Sequence, residues 1–297
     1  MANVAHPRAR PSTSLSVTLR LVWLRLRRNW PSAIALGLIL VMALAALLAA
    51  WVAPYDADAT DPAAALQVPS LQHWLGTDIY GRDLLSRIIF AGQVDLSVAF
   101  GATALALAIG STIGALSGLY RGWVELIIMR CVDSVMAFPA FILAMAITAA
   151  LGNSVTNVLL AIALTQLPTY LRLVRGEILR IREMEYADAA RVVGNPAWRI
   201  VFVHLLPNCL PPIIVQATLA MGYALLTMAA LSFIGLGIRP PQSEWGSMTA
   251  EGAQYIVTGE WWLFLFPGLA IVIMVLSFNL IGDALRDFLD PRMRGVR

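Results

Sequence analysis

The chain has 297 residues, of which 59% are hydrophobic and 13% are charged, and its mean hydropathy is +0.74. A soluble domain of this length carries about 25% charged residues, so the composition excludes an ordinary soluble enzyme and predicts a membrane protein. The formal net charge of +3 is too small to indicate a nucleic-acid partner.

All 21 basic residues are arginine, and the chain contains no lysine. A P-loop of the form G-x4-G-K-[ST] needs a lysine on the β- and γ-phosphates, so this chain cannot build one. It also cannot form a lysine Schiff base. Any ATP-driven role therefore requires an ATPase on another chain. The two cysteines, Cys131 and Cys209, predict neither a metal site nor a disulfide framework.

The uncharged stretches predict an all-α polytopic membrane protein, because about 20 apolar residues cross a bilayer as a helix. The first apolar run is longer than the core of a signal peptide, which favours a retained membrane anchor. The turn Gly152-Asn153-Ser154 separates the third and fourth spans. Six transmembrane helices are predicted, over 31–53, 94–119, 124–150, 155–174, 212–235 and 261–282.

Arginine placement predicts the orientation of these spans. With the N-terminus inside, 18 of the 21 arginines fall in cytoplasmic segments or at cytoplasmic helix ends, as the positive-inside rule requires. Both termini are therefore predicted to be cytoplasmic. The predicted organisation is an N-terminal arm over 1–30, a first span and extracytoplasmic segment over 31–93, a five-helix core over 94–283 that contains a cytoplasmic loop over 175–211, and a tail over 284–297.

The loop over 175–211 is the most polar part of the chain. Glutamates in its first turns and Arg191 near its end predict a helix over 177–191, and Gly194 would end this helix in the left-handed conformation. A second helix is predicted from Pro196 to Leu206. Small alanines at 187, 189 and 190 would let the first helix seat closely against a partner. From composition alone, an amphipathic loop on the membrane surface is the alternative.

The spacing D-A-A-x3-G-x9-H-x-L-P, which runs from Asp188 to Pro207, closely resembles the cytoplasmic "EAA" loop of ABC-importer permeases, E-A-A-x3-G-x9-I-x-L-P. Asp188 replaces the glutamate and His204 replaces the isoleucine of that pattern. The resemblance implies a type I ABC-importer permease fold, with the loop in a groove of an ATP-binding subunit. The residues implied to couple the two subunits are Glu185, Tyr186, Ala187, Asp188, Ala189, Ala190 and Gly194.

Four further segments resemble one branch of this family, the C-type subunit of dipeptide, oligopeptide and nickel permeases. The segment His73–Arg87 is similar to H-x-L-G-T-D-x-x-G-R-D-x-x-S-R. The segment Met129–Pro139 is similar to M-R-x-x-D-x-x-x-A-F-P. The segment Leu231–Gly246 is similar to L-S-F-L-G-L-G-x-x-P-P-x-x-x-W-G, and Asn279–Arg292 is similar to N-L-x-G-D-x-L-R-D-x-L-D-P-R.

The charged residues in these segments have two interpretations each. Asp78, Arg82, Asp83 and Arg87 would either pair along a surface helix or dock an external binding protein. Arg130 and Asp133 would either form an i,i+3 ion pair near the cytoplasmic interface or take part in gating or line the pathway.

Asn279 and Asp283 lie at the inner end of the sixth span. They would either hydrogen-bond neighbouring helices and cap the helix end, or take part in gating or line the pathway, as proposed for Arg130 and Asp133. No spacing in the chain predicts a catalytic or metal-binding set of residues.

The resemblance implies a non-catalytic, multi-pass subunit of the bacterial inner membrane that takes part in binding-protein-dependent peptide transport. Its implied partners are a second permease, two ATP-binding subunits, an extracytoplasmic solute-binding protein and membrane lipid, with no nucleic acid. No cofactor is expected on this chain, since ATP and Mg²⁺ would bind the partner subunits. Di- and oligopeptides are the expected cargo, with nickel, glutathione and opines as alternatives. A rival hypothesis is a secondary transporter or channel that works alone.

Overall fold

A computed structural model describes residues 30–120, 122–239 and 241–289 of the chain. Most of the predicted arm over 1–30 and the residues 290–297 of the predicted tail lie outside these ranges. The described residues form helices and turns without a strand, apart from an isolated bridge between Thr77 and Asp83. The α-helices are α1 Trp30–Leu47, α2 Ala49–Val52, α3 Leu84–Tyr120, α4 Trp123–Met136, α5 Ala140–Leu151, α6 Val155–Ile181, α7 Glu185–Val192, α8 Ala197–Arg199, α9 Leu210–Phe233, α10 Trp245–Ala253 and α11 Trp262–Leu289.

Five helical segments of the described residues are long and apolar enough to cross a membrane: α1, α3, α6, the stretch Ala197–Phe233, and α11. A sixth is counted if α4 and α5 together form one span. The predicted third span over 124–150 is not one helix, because α4 and α5 meet at an angle of 86°. Pro139 stands at this break with an extended ψ of 126°, as the N-cap of α5, and has no backbone N–H to continue a helix.

The predicted cytoplasmic loop also folds differently in detail. The helix predicted over 177–191 is divided, since α6 continues to Ile181 and α7 begins only at Glu185. The second loop helix does not end at Leu206. From Ala197 the chain stays helical through a π turn over Ile200–Leu205 and a 3-10 turn over Leu206–Cys209 into α9. The prolines interrupt this path little, because proline is tolerated where a new helical segment starts.

The centre of the bundle is the contact between α3 and α6. Gly110, Gly114 and Gly118 lie one turn apart on a single face of α3. A Cβ atom on Gly114 would lie 2.5 Å from the carbonyl oxygen of Leu171, so the two backbones touch at this level. In lipid, where apolar burial does not distinguish a helix from acyl chains, small residues of this kind allow the close packing that holds helices together.

The short helix α10 is held between two spans by glycines at its two ends. Gly246 lies against the backbone of Ala229 in α9, and Gly252 lies against the backbone of Leu263 in α11. At the start of α10, the carboxylate of Glu244 accepts hydrogen bonds from the backbone N–H groups of Gly246 and Ser247, both at 2.7 Å. Burial of this carboxyl group raises the pKa of Glu244 above its ordinary value.

The segment 54–83, between α2 and α3, folds as a cap around a buried charge network. Asp78 Oδ2 accepts hydrogen bonds from Arg82 Nε and from Arg87 Nη1, both at 2.6 Å. Arg87 Nε also donates to Ser243 Oγ at 3.3 Å, and Arg87 Nη1 lies 3.7 Å from Glu251 Oε2. The network therefore joins the cap to the first turn of α3 and to α10.

The loops of the bundle meet at the two ends that the arginine pattern predicts. At the end that carries the cap, Asn153 Nδ2 donates to the carbonyl oxygens of Gly235 (3.0 Å) and Gly237 (2.9 Å). At the opposite end, Arg182 Nη1 donates to the carbonyl oxygen of Gly118 at 3.1 Å. Segments that were predicted to share a side of the membrane therefore lie together.

We expect Gly114→Leu to separate α3 from α6. The free energy of unfolding should fall by about 1–3 kcal/mol, as it does when a dense contact is overpacked. Thermal unfolding of the detergent-purified protein measures the change. Gly268→Leu in α11 is the matched control, since a Cβ atom there meets nothing within 4 Å. Equal melting temperatures for the two variants would contradict the central role of the α3–α6 contact.

We expect Asp78→Asn to cost about 3–5 kcal/mol, because the substitution leaves two buried guanidinium groups without their shared carboxylate. The matched control is Asp58→Asn, an exposed aspartate in the same segment whose side chain bonds no described residue. Differential scanning fluorimetry of both variants checks this, and an unchanged melting temperature for Asp78→Asn would show that the network contributes little.

Candidate coupling site

The helix α7 is short and its end is well defined. Its first turn carries Glu185 and Asp188, and its last turn carries Arg191, so the charges complement the helix dipole. After it, Gly194 has a φ of +82°. The N–H of Gly194 donates to the carbonyl oxygen of Arg191 (2.9 Å) and that of Asn195 donates to the carbonyl oxygen of Ala190 (3.3 Å), which is a Schellman C-cap.

The alanines of α7 do not all face the same way. Ala187 and Ala190 are buried inside this chain, where they pack with Ile200, Val201 and Leu205. The expectation that all three small residues would face a partner is therefore wrong for these two, because the π turn that follows folds back onto them. Of the three alanines, Ala189 faces outward.

The outward side of α7 and the turn after it form an exposed surface. Val192 and Val193 are 87% and 81% exposed, and Tyr186 and Trp198 are also exposed. Exposed apolar side chains beside charged ones, at the end of the bundle away from the cap, are typical of a protein-binding surface. We call this set the coupling surface, which comprises Glu185, Tyr186, Asp188, Ala189, Val192, Val193 and Trp198.

Sequence reasoning missed three members of the coupling surface, Val192, Val193 and Trp198. A signal for them existed. Val192 ends a polar helix, Val193 follows it and both precede Gly194, so that no continuing helix could bury them. Their exposure becomes clear only once the fold shows that α7 turns its alanines inward.

One buried apolar cluster, which also includes Ala115 of α3, braces the coupling surface against the bundle. Ala187 and Ala190 belong to the same buried cluster as Val174, Ile178 and Ile181 of α6. The cluster continues through the π turn to Cys209 and Ile213, at the start of α9. A displacement of α7 therefore acts on α6 and α9 through packed side chains.

The other predicted site residues fall in different places. Asp78, Arg82, Asp83 and Arg87 do not lie along a surface helix, and all four are buried. The two aspartates have different partners. Asp78 binds both arginines, whereas Asp83 Oδ1 lies 2.9 Å from Nδ1 of His73. Docking of a binding protein near them stays a prediction, and the exposed residues around them would have to make the contact.

The predicted ion pair between Arg130 and Asp133 is wrong. Asp133 Oδ1 instead accepts a hydrogen bond from Arg172 Nη2 of α6 at 2.6 Å. Arg130 is exposed and forms no ion pair with any residue that the structure describes. Glu125 of α4 likewise binds Arg175 of α6, with 2.7 Å between Oε1 and Nε. The acidic side chains of α4 therefore form ion pairs with α6.

Asn279 and Asp283 lie in the last third of α11. Asn279 is half-buried close to Gly222 of α9, and Asp283 is exposed. Neither side chain hydrogen-bonds another of the described residues, so these residues give no support to the interpretation as bonding and capping groups. A place on the pathway stays a prediction for both. Within the described ranges, no group of three or more His, Cys, Asp or Glu residues could hold a metal ion.

Comparison with known proteins agrees with this arrangement. The family model described as the binding-protein-dependent transport system inner membrane component matches residues 110–295. A second model, the N-terminal TM domain of oligopeptide transport permease C, matches residues 18–69.

Similar curated proteins cover almost the whole chain. A dipeptide transport system permease protein of Alkalihalophilus pseudofirmus is 44% identical over 91% of this chain and 88% of its own length. A probable D,D-dipeptide transport system permease protein of Escherichia coli K12 is 42% identical over 93% and 92%. A glutathione transport system permease protein of Pectobacterium atrosepticum is 39% identical over 95% and 93%. The chain belongs to the family of binding-protein-dependent transport system inner membrane components, as a C-type permease subunit of the dipeptide and oligopeptide branch of the ABC importers.

Proposed function

We propose that this chain carries di- or oligopeptides across the bacterial inner membrane as one permease half of an ATP-driven importer. The observation that carries the proposal is the coupling surface, an exposed apolar and acidic face on a short helix that is braced by α6 and α9. A transporter that worked alone would have no use for such a surface. The peptide cargo is supported by the printed names of the relatives that are 42–44% identical.

The surface fits a groove on a soluble ATP-binding subunit. Its apolar members, Val192, Val193 and Trp198, would enter the groove, while Glu185 and Asp188 would meet basic groups at the rim. ATP and Mg²⁺ would bind that subunit, because this chain contains no lysine with which to build a P-loop. The chain itself would perform no chemical step and hold no cofactor.

The proposed assembly contains this chain, a second permease, two ATP-binding subunits and an extracytoplasmic solute-binding protein. The substrate pathway would lie between the two permeases. Arg130 and Asp133 of α4, with Asn279 and Asp283 of α11, are its candidate lining or gating groups. An exposed arginine on an apolar helix is unfavourable against lipid, which supports a protein or water environment for Arg130.

The mechanism follows from how α7 is mounted. Closure of the ATPase pair on ATP would displace α7, and the packed alanines at 187 and 190 would pass the movement to α6 and to the start of α9. The spans would tilt and open the pathway outward. Hydrolysis would release α7 and return the pathway to its inward-open state.

Glutathione is the second candidate cargo, because relatives named as glutathione transport permeases are 39% identical over more than nine-tenths of the chain. Glutathione is itself a tripeptide, so both cargoes share a carboxylate and amide groups. The residues that select between them would come from both permeases, because the proposed pathway lies between the two.

The direct test is uptake by proteoliposomes that contain the complete importer, with ATP inside and the binding protein outside. We expect labelled dialanine to accumulate only with ATP. Unlabelled glutathione is added as a competitor, and strong competition would favour the second cargo. Accumulation against a gradient by this chain alone, in vesicles without ATP, would instead support a secondary transporter.

We expect Gly194→Val to reduce ATP-driven uptake at least about tenfold while the chain remains in the membrane fraction. A β-branched residue at a φ of +82° costs about 1–3 kcal/mol and would displace the C-cap of α7. Gly259→Val is the matched control, since that glycine has a φ of +108° and open space around it, near the opposite end of the molecule.

We expect Asp188→Trp to give the same loss of uptake by a different route, because a bulky side chain on the coupling surface would obstruct the groove. Membrane insertion and the melting temperature should change little, since Asp188 is exposed and its ion pair with Arg191 is local. Normal uptake by both the Gly194 and Asp188 variants would disprove the assignment of the coupling surface.

A further inference from the structure

Two arginines connect the coupling helix to the end of α3. Arg191, in the last turn of α7, donates from Nη2 to the carbonyl oxygen of Arg182 at 3.1 Å. Arg182 follows α6 directly, and its own Nη1 donates to the carbonyl oxygen of Gly118 at 3.1 Å. Gly118 lies in the last turn of α3. The two bonds therefore run in series from α7 to the end of α6 and from there to the end of α3.

Each of these bonds places a cation on the C-terminus of a helix. The last four carbonyl groups of a helix lack intrahelical partners and carry partial negative charge, so a guanidinium group there makes a charge-assisted hydrogen bond. Arg182 fills this role for α3, and Arg191 fills it for α6. The side chain of Arg182 is only 18% exposed, which limits competition from water.

Arg182 acts at a level where α3 and α6 already touch. A Cβ atom on Gly118 would lie 2.8 Å from Cγ2 of Ile178, which is one turn before Arg182 on α6. Two turns before Arg182 on the same helix, Arg175 binds Glu125 of α4. The C-terminal part of α6 is thus tied by arginine to α3 and to α4, close to the point where α7 begins.

We propose that Arg182 is a positioning residue of the transport cycle, which links the movement of the coupling helix to the end of α3. Without it, α7 would act on α3 only through the apolar cluster that includes Ala115, and the end of α3 would follow less completely. This inference rests on the proposed function. It adds that the coupling surface and the end of α3 communicate through a polar contact within this chain.

The first test measures ATP hydrolysed per molecule of cargo transported in the reconstituted complete importer, with whichever of dialanine and glutathione the wild type accumulates. For Arg182→Gln we expect this ratio to rise about fivefold or more, a typical size for coupling between two sites. ATP hydrolysis itself should persist, because the coupling surface is intact. A merely structural defect would lower hydrolysis and uptake together and leave the ratio unchanged.

Arg180→Gln is the matched control. Arg180 lies two residues earlier, in the last turn of α6, is 59% exposed and, among the described residues, forms an ion pair only with Glu177 of the same helix. We expect its ratio to match that of the wild type. Arg182→Lys keeps the charge and one donor, so it should recover part of the loss. An unchanged ratio in Arg182→Gln, or an equal rise in Arg180→Gln, would overturn the proposal.

The second test needs no cargo. Amide hydrogen exchange of the assembled importer is compared with and without a non-hydrolysable ATP analogue. In the wild type we expect exchange to change both over 185–192 and over 116–120. In Arg182→Gln the change over 185–192 should remain, while that over 116–120 should be clearly smaller. An equal response of 116–120 in the variant would contradict the link.

The two tests separate this inference from the proposed function. If the importer shows no ATP-dependent uptake and no exchange response over 185–192 even in the wild type, the proposed function itself fails. If the wild type shows both and Arg182→Gln behaves like the wild type, only the role of Arg182 fails.

Discussion

The structure depends on the backbone contact between α3 and α6. A bilayer offers no hydrophobic gain for bringing two apolar helices together, so their association must come from close packing and hydrogen bonds. Glycines one turn apart on α3 permit that approach, down to 2.5 Å between a would-be Cβ atom of Gly114 and the carbonyl oxygen of Leu171. Both polar ends are built onto this pair, since the cap is anchored to the first turn of α3 and the coupling helix follows the last turn of α6.

The two ends use charge in opposite ways. In the cap, Asp78 and its two arginines are almost completely buried, and each guanidinium group has a fixed carboxylate partner. Such a cluster holds one geometry, because breaking it would leave buried charges without partners. Away from the cap, the ion pair of Arg172 with Asp133 is about half exposed, so water competes for both partners. The charge network of the cap is therefore more costly to break than the ion pair between α4 and α6.

The approximate positions of the apolar segments were predictable from the sequence, because hydropathy is a property of single stretches of chain. The coupling loop was found by spacing, and Gly194 was correctly expected to end its helix. Contacts between distant residues were not predictable. The pairs of Asp78 with Arg87 and of Asp133 with Arg172 depend on how segments cross, and the inward side of α7 depends on the π turn that packs on it. The bend at Pro139 was missed because uniform hydropathy conceals a break.

The exposed side of α4 also affects the stability of the protein before it assembles with partners. Within the described residues it buries only Val132, although it lies in an apolar stretch of the chain, and Arg130 stands on its open side. A newly synthesised copy without companions would present that guanidinium group to acyl chains. Such a copy would be less stable in the bilayer and would be a target for membrane proteases.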